Sequence, residues 1–100
     1  MLVRERETPE GLLVSVCDAD CLGETYENGD VSLTVTEEFY GGEDAERADP
    51  ETVVDSLTRA TVANIVGEEA VGVAVEAGIV DETNVLDVGD TRHAQLLWMR

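Results

Sequence analysis

The sequence predicts an α+β fold, a two-layer α/β sandwich in which two helices cover one face of a small antiparallel or mixed sheet. Three observations support this prediction. Residues 49–67 combine a helix start signal, an apolar stripe and a glycine stop signal. Residues 31–36 alternate between apolar and polar side chains, as a half-buried strand does. Two β-rich runs, 2–7 and 12–17, flank a turn. A chain of 100 residues is sufficient for a single domain, residues 1–100, with one core.

The central helix is predicted over residues 49–67. Asp49 is a good N-cap, and Pro50 suits the first helical position because it has no N–H to leave unpaired. Gly67 is placed to end the helix, since glycine adopts the left-handed C′ conformation without penalty. At about 100° per residue, one stripe collects Val53, Val54, Leu57, Ala60, Thr61 and Ile65. Asn64 falls within that stripe, where it either bonds to neighbouring backbone in the core or faces a cleft.

The other elements follow from local signals along the chain. The predicted elements are a strand at 2–7, a turn at 8–11, a strand at 12–17, an irregular connection at 18–30, a strand at 31–36, an acidic linker at 43–48, a second helix at 68–77, a loop at 79–84, and strands at 85–88 and 94–99. The first two strands should pair as a hairpin, because a turn with proline early and glycine last separates them.

The charge of the chain is extreme. There are 23 acidic residues against 6 basic ones, for a net charge of −17, and every basic residue is an arginine. This composition is typical of proteins that stay soluble in molar intracellular salt, as in halophilic archaea. At about 1 M salt the Debye length is roughly 3 Å, so repulsion between distant carboxylates is screened. We therefore expect the fold to loosen at low salt, where the carboxylates repel one another.

The chain has no features that predict membrane insertion or secretion. It contains no apolar run of eighteen residues, and the N-terminal sequence MLVRERETPE lacks the apolar stretch of a signal peptide. We therefore expect a cytoplasmic protein. Strong acidity ordinarily excludes nucleic-acid binding, because phosphate contacts need cations. A high-salt environment weakens that argument, so we expect a protein or RNA partner, but no DNA and no membrane.

Two cysteines are candidates for chemistry. Cys17 and Cys21 have C-x3-C spacing, which differs from the C-x2-C spacing of zinc ribbons, and the chain has one histidine. We therefore predict no metal site and no cofactor. Cys17 lies at a predicted strand end, where a nucleophile could sit with His93 as its base. The alternative is a buried, inert thiol, because Asp18 should raise rather than lower the pKa of Cys17.

Two further segments are candidates for binding. Tyr40, Gly41 and Gly42 could bring backbone and an aromatic ring close to a ligand, or could fill the core and make a turn. His93 and Gln95 should share one face of the last strand, where the histidine is either functional or structural. The sequence contains no G-x-G-x-x-G, P-loop, H-E-x-x-H or G-x-S-x-G motif.

Four ordered blocks carry a family resemblance. They are VSVCD at 14–18, FYGGE at 39–43, ANIVGE at 63–68, and NV at 84–85 with HAQ at 93–95. Together they resemble the small archaeal proteins grouped as domain of unknown function 424. The resemblance implies a small α/β two-layer fold, an archaeal source and no established activity. The candidate residues on matching blocks are Cys17, Tyr40, Gly41, Gly42, Asn64 and His93.

The sequence departs from the family pattern at two places. Cys21 stands where an aliphatic residue is expected, which argues against a shared Cys17–Cys21 metal or redox site. Residues 90–92 read Asp-Thr-Arg instead of the proline-containing turn associated with the block that holds His93.

These observations favour a small non-catalytic binding or adaptor module of the archaeal cytosol, associated with a ribonucleoprotein or a protein partner. We expect its binding residues to be Tyr40, Gly41, Gly42, Asn64, His93 and Gln95, lining one shallow groove. The alternative is a small enzyme with Cys17 as nucleophile and His93 as base. A purely structural subunit, with the surface at 40–42 covered by a second chain, is a third possibility.

Overall fold

The computed structural model describes residues 1–43 and 45–97. This part of the chain forms a mixed α+β fold with a six-stranded mixed sheet, a separate two-stranded sheet and three α-helices. The strands are β1 (Leu2–Thr8), β2 (Gly11–Cys17), β3 (Thr25–Asn28), β4 (Val31–Thr34), β5 (Ala45–Arg47), β6 (Val62–Val66), β7 (Leu86–Val88) and β8 (Thr91–Leu97). The helices are α1 (Glu37–Tyr40), α2 (Pro50–Arg59) and α3 (Glu68–Glu76).

The strand order of the large sheet is β5-β1-β2-β6-β8-β7. β1 and β2 form an antiparallel hairpin from Leu2 opposite Cys17 to Thr8 opposite Gly11, which confirms the predicted hairpin. β2 pairs with β6 in parallel, and the other neighbouring strands pair antiparallel. The chain therefore leaves the sheet after β2 and returns to it at β6.

The predicted helix over 49–67 is correct only in its first half. Asp49 caps α2 by accepting a hydrogen bond from the Thr52 N–H at 2.8 Å, and Pro50 is its first residue. The helix ends at Arg59, because Ala60 is extended, with φ −68° and ψ 142°. The second half of the predicted helix is strand β6, and Asn64 therefore lies on a strand.

The reason for this error is that the sequence TVANIV satisfies two periods at once. Its apolar residues match a helical stripe, but Ala63 and Ile65 also alternate with Val62 and Asn64, as in a strand. The strand conformation is favoured over the helical one because β6 pairs with β2 on one side and with β8 on the other. Gly67 ends no helix; it precedes α3 as the N-cap residue.

The second predicted helix is confirmed by α3, but two connecting segments contain strands that we did not predict. The acidic linker at 43–48 contains the edge strand β5, which pairs with β1. The connection at 18–30, predicted to be irregular, contains β3, which pairs with β4 in the small sheet. Short 3₁₀ turns lie at Ala19–Cys21 and Glu82–Asn84. The last strand begins at Thr91, and the predicted end of that strand at Met99 lies outside the described residues.

The main core lies between the large sheet and the two longer helices. Alternation along the strands directs Val14 and Val16 of β2, and Ala63 and Ile65 of β6, to the same cluster. The same cluster contains Val53, Leu57, Ala70, Val71 and Ala74 of α2 and α3. We call this side of the sheet the helix face and the opposite side the open face.

We expect Leu57→Ala to lower the free energy of unfolding by about 2–5 kcal/mol, because Leu57 is completely buried in the main core and its truncation leaves a cavity. Chemical denaturation in about 2 M KCl, where carboxylate repulsion is screened, measures this change. Thr58→Ala is the matched control: Thr58 is exposed, so the change should stay within about 0.5 kcal/mol. A Leu57→Ala effect as small as that of the control would mean that the packing of α2 is different.

Candidate functional site: the open face of the sheet

A row of polar side chains crosses the open face. The strand register places Arg4 opposite Ser15, Ser15 beside Asn64, and Asn64 opposite Gln95. Residues paired in this way project from the same face of a sheet. Exposure of the side chains increases from β2 to β8: Ser15 is buried, Asn64 is half-buried and Gln95 is exposed. The predicted binding residues Asn64 and Gln95 are therefore direct neighbours.

The amides of this row are available for hydrogen bonding. Among residues 1–43 and 45–97, the side chains of Asn64, Gln95 and His93 have no hydrogen-bond partner from the protein. Neither amide is fully buried, because Gln95 is exposed and Asn64 is half-buried, so both are open to solvent and a ligand could replace that solvent.

An apolar row lies next to the polar one. Leu13 of β2 pairs with Val62 of β6, and Val62 pairs with Leu97 of β8. Leu13 and Val62 are half-buried, and Leu97 is 64% exposed. Leu97 is the last residue of β8 and one of three large apolar side chains that are exposed in the described part of the chain. Exposed apolar area bordered by polar groups is typical of a binding surface.

The other end of the open face is covered. Cys17 and Val66 pack with Cys21, Val35 and Tyr40 in a second, smaller core. Tyr40 is 4% exposed, and its ring meets Phe39 edge to face at 5.0 Å. Burial, followed by the nearby Cys17, raises the pKa of Tyr40 to about 12. Tyr40 therefore fills a core and offers no exposed ring to a ligand.

The two glycines that follow Tyr40 shape the turn after α1. Gly41 is buried, and a Cβ at this position would lie 3.2 Å from a Leu22 methyl group. Gly42 is exposed and has a φ of +86°, which favours glycine. Of the predicted binding segment at 40–42, only Gly42 is exposed. The structure places this segment in the covered part of the open face, away from the Asn64–Gln95 pair.

Two arginines that we did not predict as site residues lie on the open face. Arg4 and Arg6 of β1 both donate to the carbonyl oxygen of Glu38, Arg6 through Nη2 at 2.8 Å. The Arg6 guanidinium also lies 5.5 Å from the centre of the Phe39 ring. The signal in the sequence was the i, i+2 spacing of Arg4 and Arg6, which puts both on one face of a strand.

Charge is segregated between the two faces. The described strand residues of the open face include Arg4, Arg6 and Arg47, and none of them is aspartate or glutamate. The carboxylates Glu5, Glu7, Glu46 and Asp87 all belong to the helix face. For a chain with 23 acidic residues, a sheet face whose strands carry only cations is unusual. Among the described residues, Glu38 of α1 lies close to this face, because its carbonyl oxygen accepts hydrogen bonds from Arg4 and Arg6.

His93 contributes hydrogen-bonding capacity to the open face. It pairs with Val66 on one side and Leu86 on the other, so it lies at the border between the covered part and the polar row. Burial lowers the pKa of His93 from its usual value of 6.5. The imidazole is therefore neutral at pH 7, and the positive charge of this face comes from arginine.

Cys17 and His93 are separated by a strand. Cys17 is on β2, His93 is on β8, and β6 lies between them with Val66 in the same row. Two strand spacings put their Cα atoms about 10 Å apart. Cys17 is completely buried, and burial, followed by Cys21 and Asp18, raises the pKa of its thiol to about 12. At neutral pH the group is a thiol, which is a poor nucleophile.

Asp18 has a structural role. Its carboxylate accepts hydrogen bonds from the Glu69 N–H at 3.0 Å and the Ala70 N–H at 2.8 Å, and so caps α3 from a distant part of the chain. Gly67 makes room for it: Gly67 has a φ of +116°, and a Cβ there would lie 2.3 Å from Asp18 Cγ. The blocks at 14–18 and 63–68 thus meet at one junction.

One group of potential metal ligands lies at the same junction. Asp18, Asp20 and Cys21 each offer a ligand atom, all within 4.8 Å of one another. Both Asp18 oxygens already accept backbone hydrogen bonds, and Cys21 Sγ lies 3.8 Å from Thr91 Oγ1. These bonds account for the arrangement of the group, and we assign no metal to it.

We expect Gly67→Ala and Asp18→Ala to be strongly non-additive. Asp18→Ala should cost about 0.5–2 kcal/mol through loss of the cap. Gly67→Ala should cost at least about 1–3 kcal/mol, from backbone strain and the clash with Asp18. In the double variant the clash is absent, so the total should be clearly less than the sum. A double-mutant cycle of unfolding free energies measures this, and additive effects would mean that the two residues are not in contact.

Comparison with known proteins agrees with the resemblance seen in the sequence. None of the helices in the described part of the chain is long and apolar enough to cross a membrane. No curated protein matches the chain. A crystal structure of an uncharacterized conserved protein from Methanopyrus kandleri is similar over 99% of this chain and 93% of that one, with a TM-score of 0.70 and 27% sequence identity. The model of a family described as "protein of unknown function (DUF424)" matches residues 5–99. The chain therefore belongs to the DUF424 family.

Proposed function

We propose that this protein is a small non-catalytic binding or adaptor module that engages a protein or RNA partner through its open face. One observation carries the proposal: in the described part of the chain, the unpaired amides of Asn64 and Gln95 lie beside the exposed Leu97 on a sheet face whose described strand residues include no carboxylate. Hydrogen-bonding groups next to an exposed apolar side chain supply both the specificity and the buried area that association needs.

The architecture that we propose for this function is a two-layer α/β sandwich. It is supported by the main core, in which α2 and α3 pack with the strand residues of the helix face. The short helix α1 and the β3–β4 hairpin contribute to the second core, at one end of the open face. A sheet covered by helices on one face keeps the remainder of its other face free for a partner.

We further propose that the protein works in the high-salt cytoplasm of a halophilic archaeon. The support is compositional: a net charge of −17 with arginine as its sole cationic side-chain type. In such an environment the Debye length is roughly 3 Å at about 1 M salt. Partners are then selected by groups in direct contact, such as those of the open face, and less by long-range attraction.

The rival function, an enzyme with Cys17 as nucleophile and His93 as base, has less support. The two residues would have to meet within hydrogen-bonding distance, about 3–4 Å for sulfur and nitrogen. The β6 strand between them and the completely buried thiol are unfavourable for such a pair. We therefore do not propose it.

We expect Cys17 to resist alkylation in the folded protein. Its pKa of about 12 leaves very little thiolate at pH 8, and its side chain is inaccessible. Iodoacetamide labelling followed by mass spectrometry should therefore show little modification of Cys17 in about 2 M KCl and complete modification in denaturant. Labelling of the folded protein at the rate of the denatured protein would restore the case for a reactive thiol.

The proposed function predicts that binding is lost when the open face is altered. The variant Leu97→Asp with Gln95→Glu removes the exposed apolar side chain and adds negative charge. Immobilised protein is incubated with archaeal lysate in about 2 M KCl, and recovered proteins and RNA are quantified. We expect the variant to recover at least about tenfold less of the partner than the wild type does.

The control is Val31→Asp, which also replaces an exposed apolar side chain by a carboxylate, here on the small sheet, where Val31 is 45% exposed. This variant should recover as much partner as the wild type. Equal losses in the two variants, or no partner enriched by the wild type, would argue against binding through the open face.

A further inference from the structure

We propose that the partner of the open face is single-stranded RNA. In this arrangement, Arg47 of β5 contacts phosphate, the arginines of β1 add positive charge beside it, and the amides of β6 and β8 bond to base edges. The inference rests on the proposed function and names the class of its partner. It follows from the position of charge, amides and apolar side chains relative to one another on this face.

The cations lie at one side of the face. Arg4 and Arg6 alternate along β1, and their guanidinium groups converge on the Glu38 carbonyl oxygen. Arg47, on the neighbouring edge strand β5, is exposed and is paired with Leu2, two residues before Arg4 on β1. Positive charge is therefore concentrated along one edge, with Arg47 as its exposed member. Contacts from such cations to phosphate position a nucleic-acid strand.

The amides lie on β6 and β8, away from the edge that carries the cations. Asn64 is two strands away from Arg4, which corresponds to about 10 Å. A nucleotide extends over a similar distance from its phosphate to the far edge of its base. Asn64 and Gln95 are paired in register, and each amide has both a donor and an acceptor. Such amides make paired hydrogen bonds to base edges.

The apolar row provides a surface for the bases. Leu13, Val62 and Leu97 form a continuous strip next to the amides. The flat faces of unstacked bases bury apolar area on such a strip, and single strands expose those faces where duplexes do not. An acidic protein could neutralise the arginines, but it offers no regular series of flat rings with hydrogen-bonding edges. We therefore favour RNA over an acidic protein.

The type of cation suits high salt. Arginine bonds to phosphate through two parallel N–H groups, and this contact depends on geometry as well as on charge. Glu37 and Glu38, at the rim beside Arg4 and Arg6, oppose the approach of phosphate. At about 1 M salt this repulsion acts over roughly 3 Å, so it affects only phosphates in direct contact with those carboxylates.

Binding is tested by fluorescence anisotropy with a labelled single-stranded RNA of mixed sequence, in about 1 M KCl. The same sequence as DNA, the corresponding RNA duplex and a labelled polyglutamate peptide serve as competing probes. We expect the single-stranded RNA to bind at least about tenfold more tightly than any of the three. Equal binding of polyglutamate, DNA or duplex RNA would overturn the assignment to single-stranded RNA.

Two double variants locate the binding surface. Arg47→Gln with Gln95→Glu alters two exposed residues of the open face. Arg59→Gln with Asn84→Asp makes the same chemical changes at exposed positions outside that face, and both variants change the net charge by the same amount. The open-face variant should bind RNA at least about tenfold more weakly, and the control should stay within about twofold of the wild type. Equal losses would overturn the inference.

A measurement on the unmodified chain avoids dependence on the folding of variants. RNA that contains 4-thiouridine is cross-linked to the wild-type protein, and trypsin then cleaves after each arginine. Cross-links should fall in the peptide 93–100, which contains His93, Gln95 and Leu97, or in the peptide 60–92, which contains Val62 and Asn64. Cross-links confined to the peptide 48–59, which contains α2, would overturn the inference.

Together, the RNA-binding and lysate experiments distinguish failure of the RNA inference from failure of the proposed binding function. If no RNA binds but the open-face variant Leu97→Asp with Gln95→Glu still loses its lysate partner, the RNA inference is wrong and the binding module stands, with a protein as its partner. If neither assay depends on the open face, both proposals are wrong.

Discussion

The parallel pairing of β2 with β6 is the constraint on which both faces of the sheet depend. The two strands are held at both ends. At one end Thr61 N–H donates to the Leu12 carbonyl oxygen at 2.8 Å, and at the other Asp18 N–H donates to the Val66 carbonyl oxygen at 3.0 Å. The Asp18 carboxylate then holds the start of α3. Because a one-residue shift would exchange the faces of a strand, these fixed ends keep Ile65 in the core and Asn64 on the open face.

Sequence reasoning was accurate wherever the deciding interactions were local. The β1–β2 hairpin, the Asp49 cap and the second helix depend on turn and capping residues within a few positions of each other. It failed for β6, because residues 60–66 fit a helical and a strand period equally well. Pairing with β2 and β8 decides the outcome, and those partners are distant in sequence. The capping of α3 by Asp18 could not be predicted for the same reason, since α3 begins fifty residues after Asp18.

The candidate site was predictable in part. Alternation along the last strand placed His93 and Gln95 on one face, but their relation to Asn64 became visible only from the register of β6 with β8. The aromatic residue Tyr40 illustrates the opposite error. An aromatic residue beside two glycines is compatible with a ligand contact, yet its ring completes the second core, because Cys17 and Val66 leave apolar area at that end of the sheet. Burial of this kind is a tertiary property that a single sequence does not reveal.

The segregation of charge is what links the fold to a binding role. If solubility alone determined where the acidic residues lie, carboxylates would be expected at exposed positions of every strand. The open face departs from that distribution: three of the six arginines project from its strands, and its described strand residues include no carboxylate. Part of this segregation is structural, because Arg4 and Arg6 donate to the carbonyl oxygen of Glu38. The negatively charged partner that we propose would account for the absence of carboxylates among the described strand residues of this face, since each carboxylate placed there would repel it at short range, where salt does not screen.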